Sequence, residues 1–318
     1  MARLLFVALA LSACGGSPLD EQSDELSAST APHLLPLREP GESARPTPAG
    51  KLQYYGGRVL ANPEVVAVLW GAGVAPEVAR GIGPFYAAAV ESSYIDWLSE
   101  YDTTLSPVGG GKGSGQHLGR GKLVATVSLP ARGGSVVTDA VIQRALSAGL
   151  TAGALPKPGP DTVYMVSLPR GVSVEADGGR SCQAGGFCAY HGSFRRKGMA
   201  IAYGVLPDLG PGSGCETGCG SAKSVFDRQT QVASHELIEA ITDPDVGLAG
   251  SALGKPLAWY DANGGEIGDL CNGQRGTLRA KGGKSFTVQK EWSNAAHACI
   301  VARGSRGAAD DAPDDGPP

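Results

Sequence analysis

The sequence predicts an α/β or α+β fold, a mixed sheet flanked by helices. Three observations carry that expectation. Short apolar runs rich in β-branched residues recur along the chain. Between them lie segments whose apolar residues fall at helical spacing. Glycine (48) and proline (22) are frequent enough to demand many loops between these elements.

Val65-Val66-Ala67-Val68-Leu69-Trp70 is bounded by Asn62-Pro63 and Gly71 and reads as a buried strand. From Pro76 to Tyr101 the residues Val78, Ile82, Phe85, Tyr86, Ala89, Val90, Ile95 and Leu98 follow a helical period. Gly81, Gly83 and Pro84 are expected to break or kink that helix. Lys122–Leu129 reads as a second strand. Thr138 opens a helix through Ala148, with Asp139 in its first turn. Thr162–Leu168 and Met199–Val205 read as further strands. Ser224–Thr242 is helical, with Val225, Val232, Leu237, Ile238 and Ile241 on one broad side and Pro244 as its stop.

Composition bounds the organisation. With 318 residues, 42% of them hydrophobic, the chain can bury a large core. A net charge of −4 and scattered Lys and Arg give no basis for nucleic-acid binding. Residues 1–13 read as a signal peptide: Arg3, then an apolar run, then small residues. Leu11-Ser12-Ala13-Cys14 resembles a bacterial lipobox, so Cys14 is the expected lipid attachment site and the lipid the expected link to a membrane. Gly15 and Gly16 lack the aspartate that often retains such proteins at the inner membrane, which favours the outer membrane. Residues 14–50 are expected to be a flexible tether, 51–303 a single folded domain, and 304–318 a disordered acidic tail.

Beyond Cys14 there are six cysteines, Cys182, Cys188, Cys215, Cys219, Cys271 and Cys299. An even number in an exported chain suggests three disulfides. Short loops favour Cys182–Cys188 and Cys215–Cys219, leaving Cys271–Cys299.

The chemistry concentrates in S-H-E-L-I-E-A-I-T-D-P-D, from Ser234 to Asp245. His235 and Glu239 stand four apart and project from one helix face, where a cation fits between them. The stretch differs from the zinc-protease signature H-E-x-x-H by a glutamate in place of the second histidine. Glu236, one step round the helix, is placed to act as base on a water activated by that cation. Zinc accepts such a carboxylate ligand; the harder donor set also admits another divalent cation such as manganese or calcium. The bland alternative is an exposed helix face bearing ordinary acids.

A third ligand must come from elsewhere. In W-Y-D-A-N-G-G-E-I-G-D-L-C, Trp259–Cys271, the turn Asp261–Gly265 presents Glu266 and then Asp269. Glu266 is the expected ligand and Asp269 the acceptor for the free nitrogen of His235. Asp261 is a lesser candidate. His191, in C-A-Y-H-G-S-F, is the other histidine that could matter, and as a lone histidine it reads first as a satisfied structural residue.

Several of these segments, taken in order, resemble the EXORDIUM/phosphate-induced protein family, first known from plant cell walls. Tyr54–Leu60 and the Val65–Trp70 strand resemble its opening. Phe187–Ser193 is similar to its F-C-x-x-x-C-G-x-H-G-S region with altered cysteine spacing, and Cys215 and Cys219 resemble its C-P-G-x-C element. S-H-E-L-I-E-A-I-T-D-P, W-Y-D and G-G-E-I-G-D-L-C are similar to its later blocks, and E-W-S-N-A-A-H-A-C to its close. The resemblance implies a secreted, disulfide-bonded domain and a zincin-like site on an active-site helix, formed by His235, Glu236, Glu239, Glu266 and Asp269.

These readings lead to one functional expectation and two alternatives. The first is an exported lipoprotein with a metal-dependent, metalloprotease-like hydrolase site acting on a peptide or protein. The alternative is a non-catalytic cell-surface or signalling protein whose metal site is structural or vestigial. Tyr54, Tyr55 and Trp259 would suit a carbohydrate-binding role. No G-x-S-x-G elbow occurs, and Gly109–Gly115 lacks the spacing of a phosphate-binding loop.

Overall fold

A computed structural model describes residues 31–38, 50–248 and 256–304. The expected signal peptide, Cys14 and most of the acidic tail lie outside the described residues.

Six strands form one mixed sheet: β1 (His33–Pro36), β2 (Glu64–Trp70), β3 (Lys122–Leu129), β4 (Thr162–Ser167), β5 (Phe187–Arg196) and β6 (Met199–Leu206). Their spatial order is β1-β5-β6-β4-β2-β3. The four strands from β6 to β3 run parallel, and β5 lies antiparallel to both β6 and β1. Three main helices complete the layers: α1 (Pro76–Val90), α2 (Asp139–Thr151) and α3 (Val225–Thr242). The fold is therefore α/β with a mixed sheet, as the sequence predicts.

Strand periodicity assigns the faces. Val65, Ala67, Val163 and Met165 join the core under α1 and α3. Val66, Val68, Trp70, Tyr164 and Val166 join the core under α2. Burial on both faces is why the central strands read as continuous apolar runs rather than alternating ones.

α3 is enclosed on all sides. It packs against β5 and β6, against α1, and against the hairpin of β7 (Arg275–Arg279) and β8 (Ser285–Gln289). The Ser224 hydroxyl caps it by accepting from the Asp227 amide at 3.0 Å. Every residue from Gln229 to Thr242 is buried, so the polar side expected of this helix faces protein, not water.

Four expectations are corrected. Helix α1 runs through Pro84 without interruption. Its glycines serve close packing: a Cβ at Gly81 would collide with Phe226 of α3, and one at Gly83 with Thr126 of β3. The stretch expected as a tether contributes β1, whose His33 and Leu35 pair with His191 and Ala189. The disulfides are Cys182–Cys215, Cys188–Cys219 and Cys271–Cys299. Only the last follows the short-loop expectation. Cys188 lies inside the extended β5 and bonds to Cys219 in the loop before α3.

Three disulfides fit an extracellular or otherwise oxidising environment. Among the described residues no helix is long and apolar enough to cross a membrane. Non-reducing peptide mapping should recover 182–215 and 188–219 cross-links. Cys188→Ser should lower stability by about 3–4 kcal/mol, the loop-closure value for a cross-link spanning 31 residues, measured by denaturant unfolding.

Candidate metal centre

Three of the five histidines and four acids converge where α3 meets the β1–β5 edge of the sheet. Each arrives for a local reason. His33 and His191 are direct partners across the antiparallel β1/β5 pair, so their side chains share a face. Their ring centroids lie 5.7 Å apart. That face is the α3 side, where the next inward residue of β5, Ala189, also points. His235, Glu236 and Glu239 come from the middle of α3. Glu266 and Asp269 come from the loop after Tyr260.

That loop is held firmly. Asp261 accepts from the amides of Asn263 and Gly265, both at 2.8 Å, and closes the turn at Gly264, whose φ of 88° suits glycine. The Glu266 amide donates to Asp269 Oδ2 at 2.9 Å. Cys271–Cys299 then anchors the end of the loop. Asp261 is consumed by this turn, and it joins none of the potential metal-holding groups among the described residues.

The distances form a chain with Glu239 at its centre. His235 Nε2 lies 3.1 Å from Glu239 Oε2, and His191 Nε2 lies 3.5 Å from the same oxygen. His191 Nε2 is 3.3 Å from Glu266 Oε1. At the rim, His33 Nδ1 is 3.4 Å from Glu266 Oε1 and its Nε2 is 2.7 Å from Asp269 Oδ2. Glu236 shares a group with His235 and Glu239 in which the potential ligand atoms all lie within 4.8 Å of one another. The predicted trio of His235, Glu239 and Glu266 is thus brought together, with His191 bridging Glu239 to Glu266.

Asp269 departs from its expected role. Its Oδ1 lies 3.9 Å from His235 Nε2, the nitrogen already facing Glu239. The other ring nitrogen, Nδ1, meets the Gln289 side-chain amide at 2.7 Å, and Gln289 is fixed by donating to the Gly268 carbonyl at 2.8 Å. The Ser234 hydroxyl accepts from the Gln289 backbone amide, so the residue preceding the histidine positions the strand that orients it. Gln289 sits in β8, remote in sequence, and only the S-F-T-V-Q strand alternation hints that it faces inward. His33 was hidden in a segment without apolar period.

Unpaired atoms decide what this cluster suits. Along α3, Gln229, Thr230, Ser234 and Thr242 each make a hydrogen bond to protein. By contrast His235 Nε2, both oxygens of Glu236 and of Glu239, both nitrogens of His191 and Glu266 Oε2 are buried without a hydrogen-bond partner. Burying such groups unpaired is costly. Zinc bonds of about 2.0–2.2 Å in a tetrahedron hold ligand atoms roughly 3.3–3.6 Å apart. The 3.5 Å from His191 Nε2 to Glu239 and the 3.3 Å from it to Glu266 match that edge, and the 3.1 Å between His235 and Glu239 is slightly shorter. The donor set fits a divalent cation.

Electrostatics of the metal-free protein show which protons a cation would displace. Burial pushes the Glu236 carboxyl well above the ordinary range, with His235 opposing and Glu239 reinforcing the shift. Burial does the same to Glu266, against the pull of His33. Burial takes His191 down to about 3, leaving a neutral imidazole suited to a metal. Burial disfavours charge on His235 as well, but Glu239 outweighs it and raises the pKa to about 10. Tyr260 donates its hydroxyl to Glu266 Oε1 at 2.5 Å.

No protein-family model, curated protein or solved structure matches the chain. The reading of the site therefore stands on its geometry.

Gly268 leaves no room beside the cluster: an added Cβ would lie 2.5 Å from His235 Nδ1 and 2.9 Å from Glu239 Oε1. Gly268→Ala should displace the imidazole and weaken zinc binding by about 10–100-fold, the range for disturbing a ligand's support, read by chelator competition. A second expectation concerns pH. A group whose folded pKa exceeds its unfolded value stabilises fully below the unfolded value, and that stability is lost as pH rises through the folded one. Glu236, Glu266, His33 and His235 all shift upward. His191 shifts downward, so its opposing effect is confined to pH below its unfolded value of 6.5. The metal-free protein should therefore lose thermal stability as pH rises above 6.5, and bound zinc should abolish that trend in melts run with and without chelator.

Proposed function

We propose that the protein is an exported, metal-dependent hydrolase of the metalloprotease type, acting on peptide bonds. The observation that carries the reading is the buried set His191, Glu239 and Glu266, whose potential ligand atoms lie within 4.8 Å of one another, beside an unpartnered carboxylate, Glu236. In this reading Glu239 with His191 and Glu266 would hold the cation, His235 standing beside Glu239, and zinc would suit these nitrogen and oxygen donors while keeping a position for water. A cation held there would supply a Lewis acid that polarises a carbonyl and acidifies a water. Glu236 takes the proton from the attacking water and returns it to the departing amine. Gln289 fixes the His235 ring, and Tyr260 fixes Glu266. Asp269 pairs with His33 at the rim. The order of sequence blocks supports a kinship with the EXORDIUM/phosphate-induced proteins, and the lipobox at Cys14 supports attachment to the cell envelope, with the outer membrane favoured.

One observation favours a second reading, a structural cation in a non-catalytic surface protein. His191, His235, Glu236, Glu239 and Glu266 are all 0% exposed, so water and substrate have no direct path while β1 is in place.

Metal analysis of the purified protein separates the two. The hydrolase should carry about one zinc per chain, and Glu236→Gln should keep it while losing about 10²–10⁴ in peptide cleavage. Equal behaviour of Glu236→Gln and wild type in every cleavage assay would leave only the structural role.

A further inference from the structure

Residues 32–38 read P-H-L-L-P-L-R, and β1 within them runs along the outer edge of β5. At four residues it is the shortest strand of the six. Its register with β5 shifts between Leu35 and Pro36. Pro36 has no N–H to donate, and pairing resumes at the Leu37 amide, 3.0 Å from the Gly186 carbonyl. Side chains alternate along it. Leu34 packs toward α2, while Leu35, 2% exposed, enters the core beside α3. His33 shares the Leu35 face and reaches both Glu266 and Asp269. It is the one imidazole of the cluster that the chain from residue 50 onward does not supply.

An exposed sheet edge is a template for another strand. Extended peptides use it through backbone pairing, with alternate side chains read by pockets. Here the edge lies directly beside the cluster. We propose that the β5 edge is a binding groove for an extended polypeptide, that residues 33–36 fill it in the resting chain, and that His33 is a displaceable ligand closing the centre. The inference rests on the metal-centre reading and deepens it, because it names the substrate class. That class is a polypeptide segment antiparallel to β5, with an apolar residue two positions after the one facing the cluster, where Leu35 now sits. The chain's own strand occupies the groove without being hydrolysed, because His33 presents a ring nitrogen there and not a peptide carbonyl.

Two measurements on the full chain test this. The visible spectrum of the Co²⁺-loaded protein reports its ligands. His33→Ala should shift that spectrum and speed Co²⁺ loss to a chelator about tenfold or more, while Leu34→Ala, on the opposite face, should change neither. The His33 side chain is 18% exposed, so its loss leaves the core intact. In the second measurement, a fluorescein-labelled peptide of residues 32–38 should bind Leu35→Ala, whose own strand is loosened, about tenfold or more tighter than it binds wild type. An unchanged cobalt spectrum in His33→Ala overturns the inference, as does equal peptide binding to wild type and Leu35→Ala. Should both measurements succeed while no variant cleaves any peptide, the displaceable strand stands and the hydrolase reading falls.

Discussion

Gathering acids and imidazoles away from water is the constraint on which this structure turns. Glu236, Glu239 and Glu266 are wholly buried and stand close enough together that ionising one opposes ionising the next. A packed apolar protein does not tolerate such a group unaided. The surrounding fold meets the constraint by making the cluster rigid from every direction. The sheet contributes His191 and His33 as cross-strand partners. The central helix contributes residues one turn apart, and the loop contributes acids fixed by a turn and a disulfide. What remains is a concentration of buried carboxyl and imidazole groups that share their protons among themselves.

Support for the centre reaches well beyond the residues that touch it. Gln289 links His235 to the Gly268 carbonyl, and its Nε2 lies 3.3 Å from Glu291 Oε2. Glu291 in turn accepts from the Tyr94 hydroxyl at 2.9 Å, and burial raises its pKa to about 8. A column of polar groups therefore runs from the cluster through β8 to the helix-rich side of the domain. Networks of this kind hold a geometry only when each member is satisfied, and here the inner end meets the unpaired atoms of His235, Glu236 and Glu239.

Much of the centre could be read from residue order, and the part that could not has a common cause. The helix from Ser224 to Thr242 carries its own cap and its own stop, so His235 and Glu239 could be placed on one face without knowing anything else. Glu266 follows a turn whose Asp-Ala-Asn-Gly-Gly chemistry is local. His33, the weight of His191, and Gln289 depend instead on strand register between distant segments, which periodicity alone does not give. The prolines around His33 also argued against a strand. Asp269 stands on the Glu239 side of the His235 ring and Gln289 on the other, where the sequence holds no trace of the strand that approaches. Pro84 and its neighbouring glycines carried a true local signal that close packing against α3 and β3 overrode.

The crossed pairing of Cys182 with Cys215 and Cys188 with Cys219 bears on how the chain matures. In an unfolded chain the quickest bonds to form join thiols with few residues between them, because closing a short loop costs little entropy. Those partners are the wrong ones here. Any short-loop bridge that forms first is undone only by thiolate attack on its sulfur before strand and helix come into register. A compartment that supplies an oxidant without an isomerase would accumulate scrambled protein in which the histidine of β5 never meets the helix.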